Sequence, residues 1–305
     1  MPQGPQSSLR LFRVLGIDVY VHWAWIFVAI FQIQNRAHQY SSMTWNVIEY
    51  LTLFLIVLVH EFGHALACRS VGGTANQIML WPLGGVAYVA PPQRPGAVLW
   101  SIAAGPLVNV ALLFVLTPIT GLIPNPSSGF LNDWDHLLVS VWWINFGLLL
   151  FNLLPIYPLD GGQILRALLW FPLGRAHSLF AASILGFVGV AGLAGFAYHE
   201  SSIWMGIITY FVFLQCANGL KQARALRTLE KMPRRDGFAC PSCGAAPPIG
   251  PIWKCLRCQT PFDIFETQGV CPNCQAQYPD TLCFDCRAKH PIEAWRQGSA
   301  TSANA

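Results

Sequence analysis

Long apolar runs dominate the pattern of hydrophobic and polar positions along this chain of 305 residues. A run of about 20 apolar residues is long enough to cross a bilayer as a helix. Six runs approach this length, and the first is short for a full span. They cover approximately Val19–Ile33, Val47–Cys68, Ala97–Ile119, Leu137–Tyr157, Ser178–Tyr198 and Ser202–Leu220. The pattern predicts an α-helical polytopic membrane protein with about six transmembrane helices.

Composition and charge agree with this interpretation. The chain is 54% hydrophobic and only 10% charged, which is typical of polytopic membrane proteins rather than soluble globular ones. If the N-terminus lies inside, 12 of the 13 Lys and Arg residues before Asp236 fall on the inner side, and only Arg36 falls outside. The positive-inside rule therefore predicts a multi-pass protein of the cell membrane with both termini in the cytoplasm.

The second apolar run contains the polar motif His60-Glu61-Phe62-Gly63-His64. Positions i and i+4 of a helix share one face, so His60 and His64 can hold one Zn²⁺, while Glu61 is placed to act on the attacking water. A chance match is the alternative. It is disfavoured because three unpaired polar side chains at membrane depth would cost several kcal/mol. The motif therefore predicts a catalytic zinc site.

Three further segments accompany this motif, and together they carry a family resemblance. They are Leu83-Gly84-Gly85-Val86, Ala104-Gly105-Pro106-Leu107-Val108-Asn109 and Asn152-Leu153-Leu154-Pro155-Ile156-Tyr157-Pro158-Leu159-Asp160-Gly161. Over roughly residues 10–220 the chain resembles the site-2 protease family of intramembrane zinc metalloproteases. The resemblance implies a zinc endopeptidase that cuts in or near transmembrane segments of other membrane proteins.

A catalytic zinc has three protein ligands, so one protein ligand besides the two histidines remains to be identified. In the family pattern the Leu-Asp-Gly carboxylate is this ligand, and here it matches Asp160. The alternative is that Asp160 is the N-cap of a helix over 161–170. The resemblance also suggests that Asn152 helps to hold the substrate or the developing oxyanion, with an interhelical hydrogen bond as the alternative. We expect Asn109 to serve packing and hydrogen bonding.

The segment Gln77–Val89 follows the zinc helix and contains Pro82 and the Gly84-Gly85 pair. It could form a membrane-associated β-hairpin whose edge binds an extended substrate by strand addition. In the family this region is such a hairpin, which makes Gly84 and Gly85 substrate-binding candidates. A plain loop is the alternative.

A cysteine-rich tail follows the basic stretch Lys221–Arg235. Four Cys-x-x-Cys knuckles predict two structural zinc sites, which with the catalytic ion makes three zinc ions. The knuckles are Cys240 and Cys243, Cys255 and Cys258, Cys271 and Cys274, and Cys283 and Cys286. They resemble a double zinc ribbon in which consecutive knuckles pair, and a cross-braced pairing stays open. Disulfides are the alternative, disfavoured in a reducing cytosol.

The tail shows no basic footprint for nucleic acid, since five Lys or Arg face six Asp or Glu from Asp236 onward. A regulatory protein contact and a passive structural tail both stay open. The expected domains are a metalloprotease core over 1–220, a basic cytosolic linker over 221–235, a double zinc ribbon over 236–296 and a disordered tail over 297–305.

The leading function is an intramembrane zinc endopeptidase with membrane-protein substrates. The rival is a non-catalytic zinc-binding membrane receptor or scaffold that signals through its zinc-ribbon tail. Retention of Glu61 argues against this rival, because a scaffold needs the metal ligands at most. A zinc transporter is a third hypothesis. It would need a polar path across several spans, and the outer halves of the predicted spans contain no such residues.

Overall fold

The computed structural model of the chain describes residues 8–35, 39–81, 84–123 and 132–296. These residues form two compact units. The first contains the residues up to Pro91 together with Pro95–Ala223, and the second contains Pro92–Arg94 together with the residues from Arg224 onward. The tail predicted to be disordered, 297–305, lies outside the described residues.

Long helices build most of the first unit, because its sequence alternates apolar runs with short polar or Pro- and Gly-containing segments. They are α1 (Trp25–Asn35), α2 (Met43–Ser70), α3 (Pro95–Gly121), α4 (Asp133–Asn152), α5 (Asp160–His199) and α6 (Ile203–Lys231). Over the part of the chain that the structure describes, α2 to α5 are long and apolar enough to cross a membrane. The chain is thus an α-helical polytopic membrane protein, and its second to sixth predicted spans correspond to α2 to α6.

The first predicted span, Val19–Ile33, is wrong. Its beginning belongs to strand β2 (Ile17–His22), and its remainder belongs to α1, a helix of 11 residues. Such a helix is about 16 Å long, roughly half the thickness of the hydrocarbon core. In β2 the fully buried Ile17 and Val19 alternate with half-buried residues. This apolar run therefore follows the two-residue period of a strand.

A four-stranded sheet contains β1 (Ser8–Val14), β2, β3 (Thr74–Trp81) and β4 (Gly84–Ala90), in that spatial order. Strands β2 and β3 run parallel, whereas the β1–β2 and β3–β4 pairs are antiparallel. The predicted hairpin over Gln77–Val89 is therefore present as β3 and β4, although Pro82 and Leu83 lie outside the described residues. Among the strands that the structure describes, β4 has β3 as its only neighbour, so it is an edge strand of this sheet.

One face of this sheet packs against α2 and forms the main core of the unit. Buried side chains from β2 and β3 meet buried side chains from the middle and end of α2. This cluster includes Ile17, Val19, Ile78, Leu80, Val57, Leu58, Ala65 and Cys68. The packing holds the sheet beside the helix that carries the polar motif.

Helices α5 and α6 each depart from a simple span. In α5 the helix is kinked at Gly174, whose φ of 79° is a left-handed conformation that glycine adopts without strain. Helix α6 ends at Lys231, so residues 221–231, predicted as part of a linker, form its last turns.

The second unit contains two short β-ribbons. Strand β5 (Trp253–Lys254) pairs with β6 (Pro261–Phe262), β7 (Asp280–Leu282) pairs with β8 (Lys289–Pro291), and a 3-10 helix covers Ile292–Trp295. A small aromatic core surrounds four of the cysteines, and Arg235 forms an ion pair of 2.6 Å with the buried Asp263. So small a core needs the additional stability that bound metal supplies.

Candidate functional site

Three potential metal ligands converge from two helices. His60 and His64 lie one turn apart on α2, and Asp160 is the first residue of α5. The two Nε2 atoms are 3.2 Å apart, and Asp160 Oδ2 lies 3.1 Å from His60 Nε2 and 3.4 Å from His64 Nε2. Ligand atoms about 2.0–2.1 Å from a tetrahedral zinc lie roughly 3.3 Å apart. The donor set and its spacing therefore fit Zn²⁺ with a fourth position left open.

The position of Asp160 decides between its two predicted roles. The N-cap residue of α5 is Leu159, and Asp160 lies inside the first turn with its carboxylate directed at the two histidines. The N-cap alternative is therefore wrong. The preceding residues 153–159 are not helical, because the prolines at 155 and 158 lack a backbone donor and disfavour a regular helix.

A buried hydrogen-bond network determines which nitrogen of His60 can bind metal. Asn145 Nδ2 donates to the backbone carbonyl of Asn109, and Asn109 Nδ2 in turn donates to Asn145 Oδ1 at 2.7 Å. The remaining oxygen, Asn109 Oδ1, lies 2.5 Å from His60 Nδ1. Since this oxygen can only accept, His60 Nδ1 carries the proton, and the lone pair of Nε2 faces the metal position.

His64 is oriented in the same way by the backbone of α3. Its Nδ1 lies 2.9 Å from the carbonyl oxygen of Ser101, which can only accept a hydrogen bond. Nδ1 therefore donates, and His64 Nε2 also presents a lone pair. Both imidazoles are held in the tautomer that zinc binding requires.

Asn145 was not among the residues singled out from the sequence. It is fully buried on α4, and its polar side chain in the middle of a largely apolar span is the sequence signal that could have identified it. Asn109, expected to serve packing and hydrogen bonding, does both and also contacts a metal-ligand histidine.

We predict that Asn145→Leu lowers the zinc affinity of the His60 site by about 10–100-fold, because the amide that orients Asn109 is lost. Competition with a fluorescent zinc chelator measures this affinity. Thr209→Val is the matched control, since Thr209 is a buried polar residue whose hydroxyl donates to the carbonyl of Met205 in its own helix. Equal affinities of the two variants would remove Asn145 from this role.

Glu61 lies next to the three potential ligands and is not one of them. One of its carboxylate oxygens is within 4.8 Å of the ligand nitrogens of both histidines. Its Oε2 accepts a hydrogen bond of 2.8 Å from the backbone N–H of Ala87 on β4. The residue is 5% exposed. Its carboxylate is anchored between the metal position and strand β4.

Glycines allow the close approach of the elements around the cluster. A Cβ atom on Gly105 of α3 would lie 2.8 Å from His60 Nε2 and even closer to His64. Cβ atoms on Gly161 and Gly162 would overlap the backbone of residues 153–157. The lack of a side chain at these three positions therefore allows the elements to approach closely. Spacing in the sequence does not reveal such contacts.

The three predicted substrate-binding residues are placed as follows. Gly84 and Gly85 begin β4, where they pair with Trp81 and Leu80. Asn152 is the last residue of α4 and is half-buried. Their roles stay predictions.

The eight knuckle cysteines form two groups of four. The first knuckle joins the fourth, with Cys240 and Cys286 sulfurs 3.6 Å apart and Cys243 and Cys283 sulfurs 3.8 Å apart. The second knuckle joins the third at sulfur distances of 3.4–3.6 Å. Sulfurs about 2.3 Å from a tetrahedral zinc lie roughly 3.8 Å apart, so both groups fit a Cys₄ zinc site.

The expected pairing of consecutive knuckles is therefore wrong, and the cross-braced alternative is wrong as well. The order is nested, because the second and third knuckles occupy one contiguous segment and the first and fourth close around it. All ten cysteines are free thiols in this structure. Cys68 and Cys216, the two cysteines outside the knuckles, are buried among apolar side chains.

We predict that nested pairing shows in zinc stoichiometry. Serine at all four positions of the first and fourth knuckles should remove one zinc equivalent, because the second and third knuckles keep a complete site. Serine at all four positions of the first and second knuckles should remove two, because each site then loses half of its ligands. Metal analysis of the purified variants measures both numbers. The reverse result would restore the consecutive pairing.

Comparison with known proteins agrees with the arrangement around His60. The model of the family described as Peptidase family M50 matches residues 48–125 and 119–196. A zinc metalloprotease of Methanocaldococcus jannaschii is 30% identical over 206 residues, which is 68% of this chain and 58% of that protein. Stage IV sporulation protein FB of Bacillus subtilis is 30% identical over 186 residues, which is 58% of this chain and 57% of that protein. The chain thus spans less than two thirds of the length of these relatives.

A solved structure extends the likeness from sequence to fold. The site-2 protease from Methanocaldococcus jannaschii superimposes with a TM-score of 0.51 at 27% sequence identity, covering 70% of this chain and 95% of that structure's chain. The matched part includes the helix with both histidines and the segment with Asp160. The chain therefore belongs to peptidase family M50 and is of the site-2 protease type.

Proposed function

We propose that this protein is an intramembrane zinc endopeptidase that hydrolyses peptide bonds in or near transmembrane segments of membrane proteins. The observation that carries the proposal is the open set of three ligands with the unligated Glu61 beside it. A non-catalytic scaffold would have no use for a carboxylate that is buried, adjacent to the metal position and not part of the ligand set.

His60, His64 and Asp160 would hold the ion. When bound there, zinc lowers the pKa of water and polarises the scissile carbonyl. Glu61 takes a proton from the attacking water and later returns it to the leaving amine. Asn109, Asn145 and the Ser101 carbonyl keep both imidazoles oriented throughout.

The substrate would bind as an extended strand. A helix hides its carbonyls in its own hydrogen bonds, so a transmembrane substrate must unwind before cleavage. The edge strand β4, which begins at Gly84 and Gly85, offers the backbone groups on its outer side to such a segment. Asn152 is the proposed side-chain contact to the substrate or to the developing oxyanion.

Cleavage by the purified, reconstituted protein tests this proposal. The substrate is a single transmembrane segment with a cytosolic reporter, in one version with a helix-weakening Gly-Pro pair and in another with leucines there. We expect zinc-dependent cleavage that is faster for the weakened helix, because unwinding then costs less. A protein that binds zinc, binds the segment and cuts neither version would support the scaffold instead.

We further propose that both termini face the cytoplasm and that the tail binds two structural zinc ions and a regulatory protein. The distribution of Lys and Arg supports the orientation, and the two Cys₄ groups support the ions. Accessibility labelling of a single cysteine introduced at Ser299 tests the orientation. Labelling from outside intact cells would invert it.

A further inference from the structure

We propose that the backbone N–H of Ala87 positions Glu61 and thereby determines which carbonyl of a bound substrate is cleaved. The inference rests on the proposed peptidase function and on strand addition to β4. It concerns a contact that neither of these requires, the 2.8 Å hydrogen bond from Ala87 N to Glu61 Oε2.

The direction of this hydrogen bond identifies the outer edge of β4. Successive residues of a strand direct their backbone groups to opposite sides. Ala87 donates to Glu61, which is on α2 and not in the sheet, so the N–H and C=O of Ala87 point away from β3. The groups of Gly85 and Val89 point the same way, whereas those of Tyr88 point toward β3. A strand added to β4 therefore pairs with Gly85, Ala87 and Val89.

Within the described part of the chain, Ala87 differs from Gly85 and Val89 because its N–H is already bonded to Glu61. If the substrate strand adds antiparallel to β4, each substrate residue opposite a member of this outward row forms a hydrogen-bonded pair, in which the two residues exchange two hydrogen bonds. A substrate residue opposite Ala87 can donate its N–H to the Ala87 carbonyl, but its own carbonyl finds no donor on β4. Among the substrate carbonyls opposite Gly85, Ala87 and Val89, this carbonyl alone receives no hydrogen bond from β4, and it lies beside Glu61. It is the carbonyl we assign as scissile.

The same contact orients the base. With Oε2 held by Ala87, the second oxygen of Glu61 is left to take the proton from the water. Glu61 is 5% exposed, so few other donors can replace this hydrogen bond. The backbone groups of Gly85 and Val89 and the carbonyl of Ala87 then contribute to substrate affinity, whereas the N–H of Ala87 contributes to the chemical step.

Backbone ester substitution in the full-length protein separates these roles, because it replaces a single N–H by oxygen and keeps the side chain. Nonsense suppression with the corresponding hydroxy acids introduces the ester at position 87, 88 or 89. We expect the ester at Ala87 to lower kcat on the order of tenfold with little change in KM. The ester at Val89 should raise KM several-fold with little change in kcat. Zinc content should be unchanged in both.

The ester at Tyr88 is the structural control, because its N–H faces β3. If it lowers kcat as much as the ester at Ala87, the effect is a loosened hairpin and the inference is overturned. An unchanged kcat for the Ala87 ester overturns it as well. Methylation of the substrate nitrogen at the residue before the cut should weaken binding of the uncleaved segment to the Glu61→Gln protein, since that N–H donates to Ala87. Wild-type protein that cuts nothing would refute the proposed function rather than this assignment.

Discussion

Glu61→Gln will keep the catalytic zinc and the fold but lower hydrolysis by about 10²–10⁴-fold, the usual contribution of a general base. The amide can neither accept the proton of the attacking water nor return it to the leaving amine. Its oxygen can still accept the hydrogen bond from Ala87, so the side chain stays in place. Cleavage of the reporter segment in proteoliposomes and zinc content of the same preparation measure both halves of the prediction.

The matched control is Glu49→Gln. Glu49 is also a buried carboxylate on α2, 2% exposed, and it lies 12 residues before Glu61, which is about 18 Å along the helix axis. The same chemical change there should leave the turnover of folded protein unaffected. If both variants lose activity equally, removal of a buried carboxylate from α2 explains the loss, and Glu61 has no special role.

Gly105→Ala will remove the catalytic zinc and lower activity by at least about 100-fold, although the change adds one methyl group. The new Cβ would overlap His64 and lie 2.8 Å from His60 Nε2. The rings must then move, or α3 must move away from α2. Displacement of a ligand by about 1 Å is enough to lose a preorganised site. Metal analysis should show one zinc equivalent fewer than in the wild type.

Gly96→Ala on the same helix is the control. No atom lies within 4 Å of the position that its Cβ would occupy, and alanine is favoured over glycine in a helix by about 1 kcal/mol. This variant should keep zinc and activity. Full zinc content in Gly105→Ala would show that α3 does not pass over the histidines as closely as the structure places it.

Much of the fold could be predicted because long apolar runs carry a strong signal. Five of the six predicted spans correspond to helices, and the predicted hairpin is present as strands β3 and β4. The exception, Val19–Ile33, is a short apolar run, for which strand and helix periods are hard to distinguish. There the pairing of β2 with β1 and β3 decides the conformation, and those partners lie before and about 55 residues after it.

The candidate site likewise contains some residues that the sequence predicts and others that only the structure identifies. His60, Glu61 and His64 were predicted together because helical spacing alone puts them on neighbouring positions. Asp160 was assigned through the family resemblance, since nothing local connects it to residues about 100 positions earlier. Asn145 and Ala87 were missed, because a hydrogen bond between distant elements has no periodic signature.

By itself, the sequence determined the membrane-spanning class, the identity of the candidate ligand residues on α2 and the presence of four cysteine knuckles. Each of these depends on composition or on spacing within a single element. Only the tertiary structure decided the nested pairing of the knuckles, the tautomers of the histidines, the close passage of Gly105 and the contact between Glu61 and Ala87. These depend on which elements pack together, and that is settled by burial and hydrogen bonding between segments far apart in the chain.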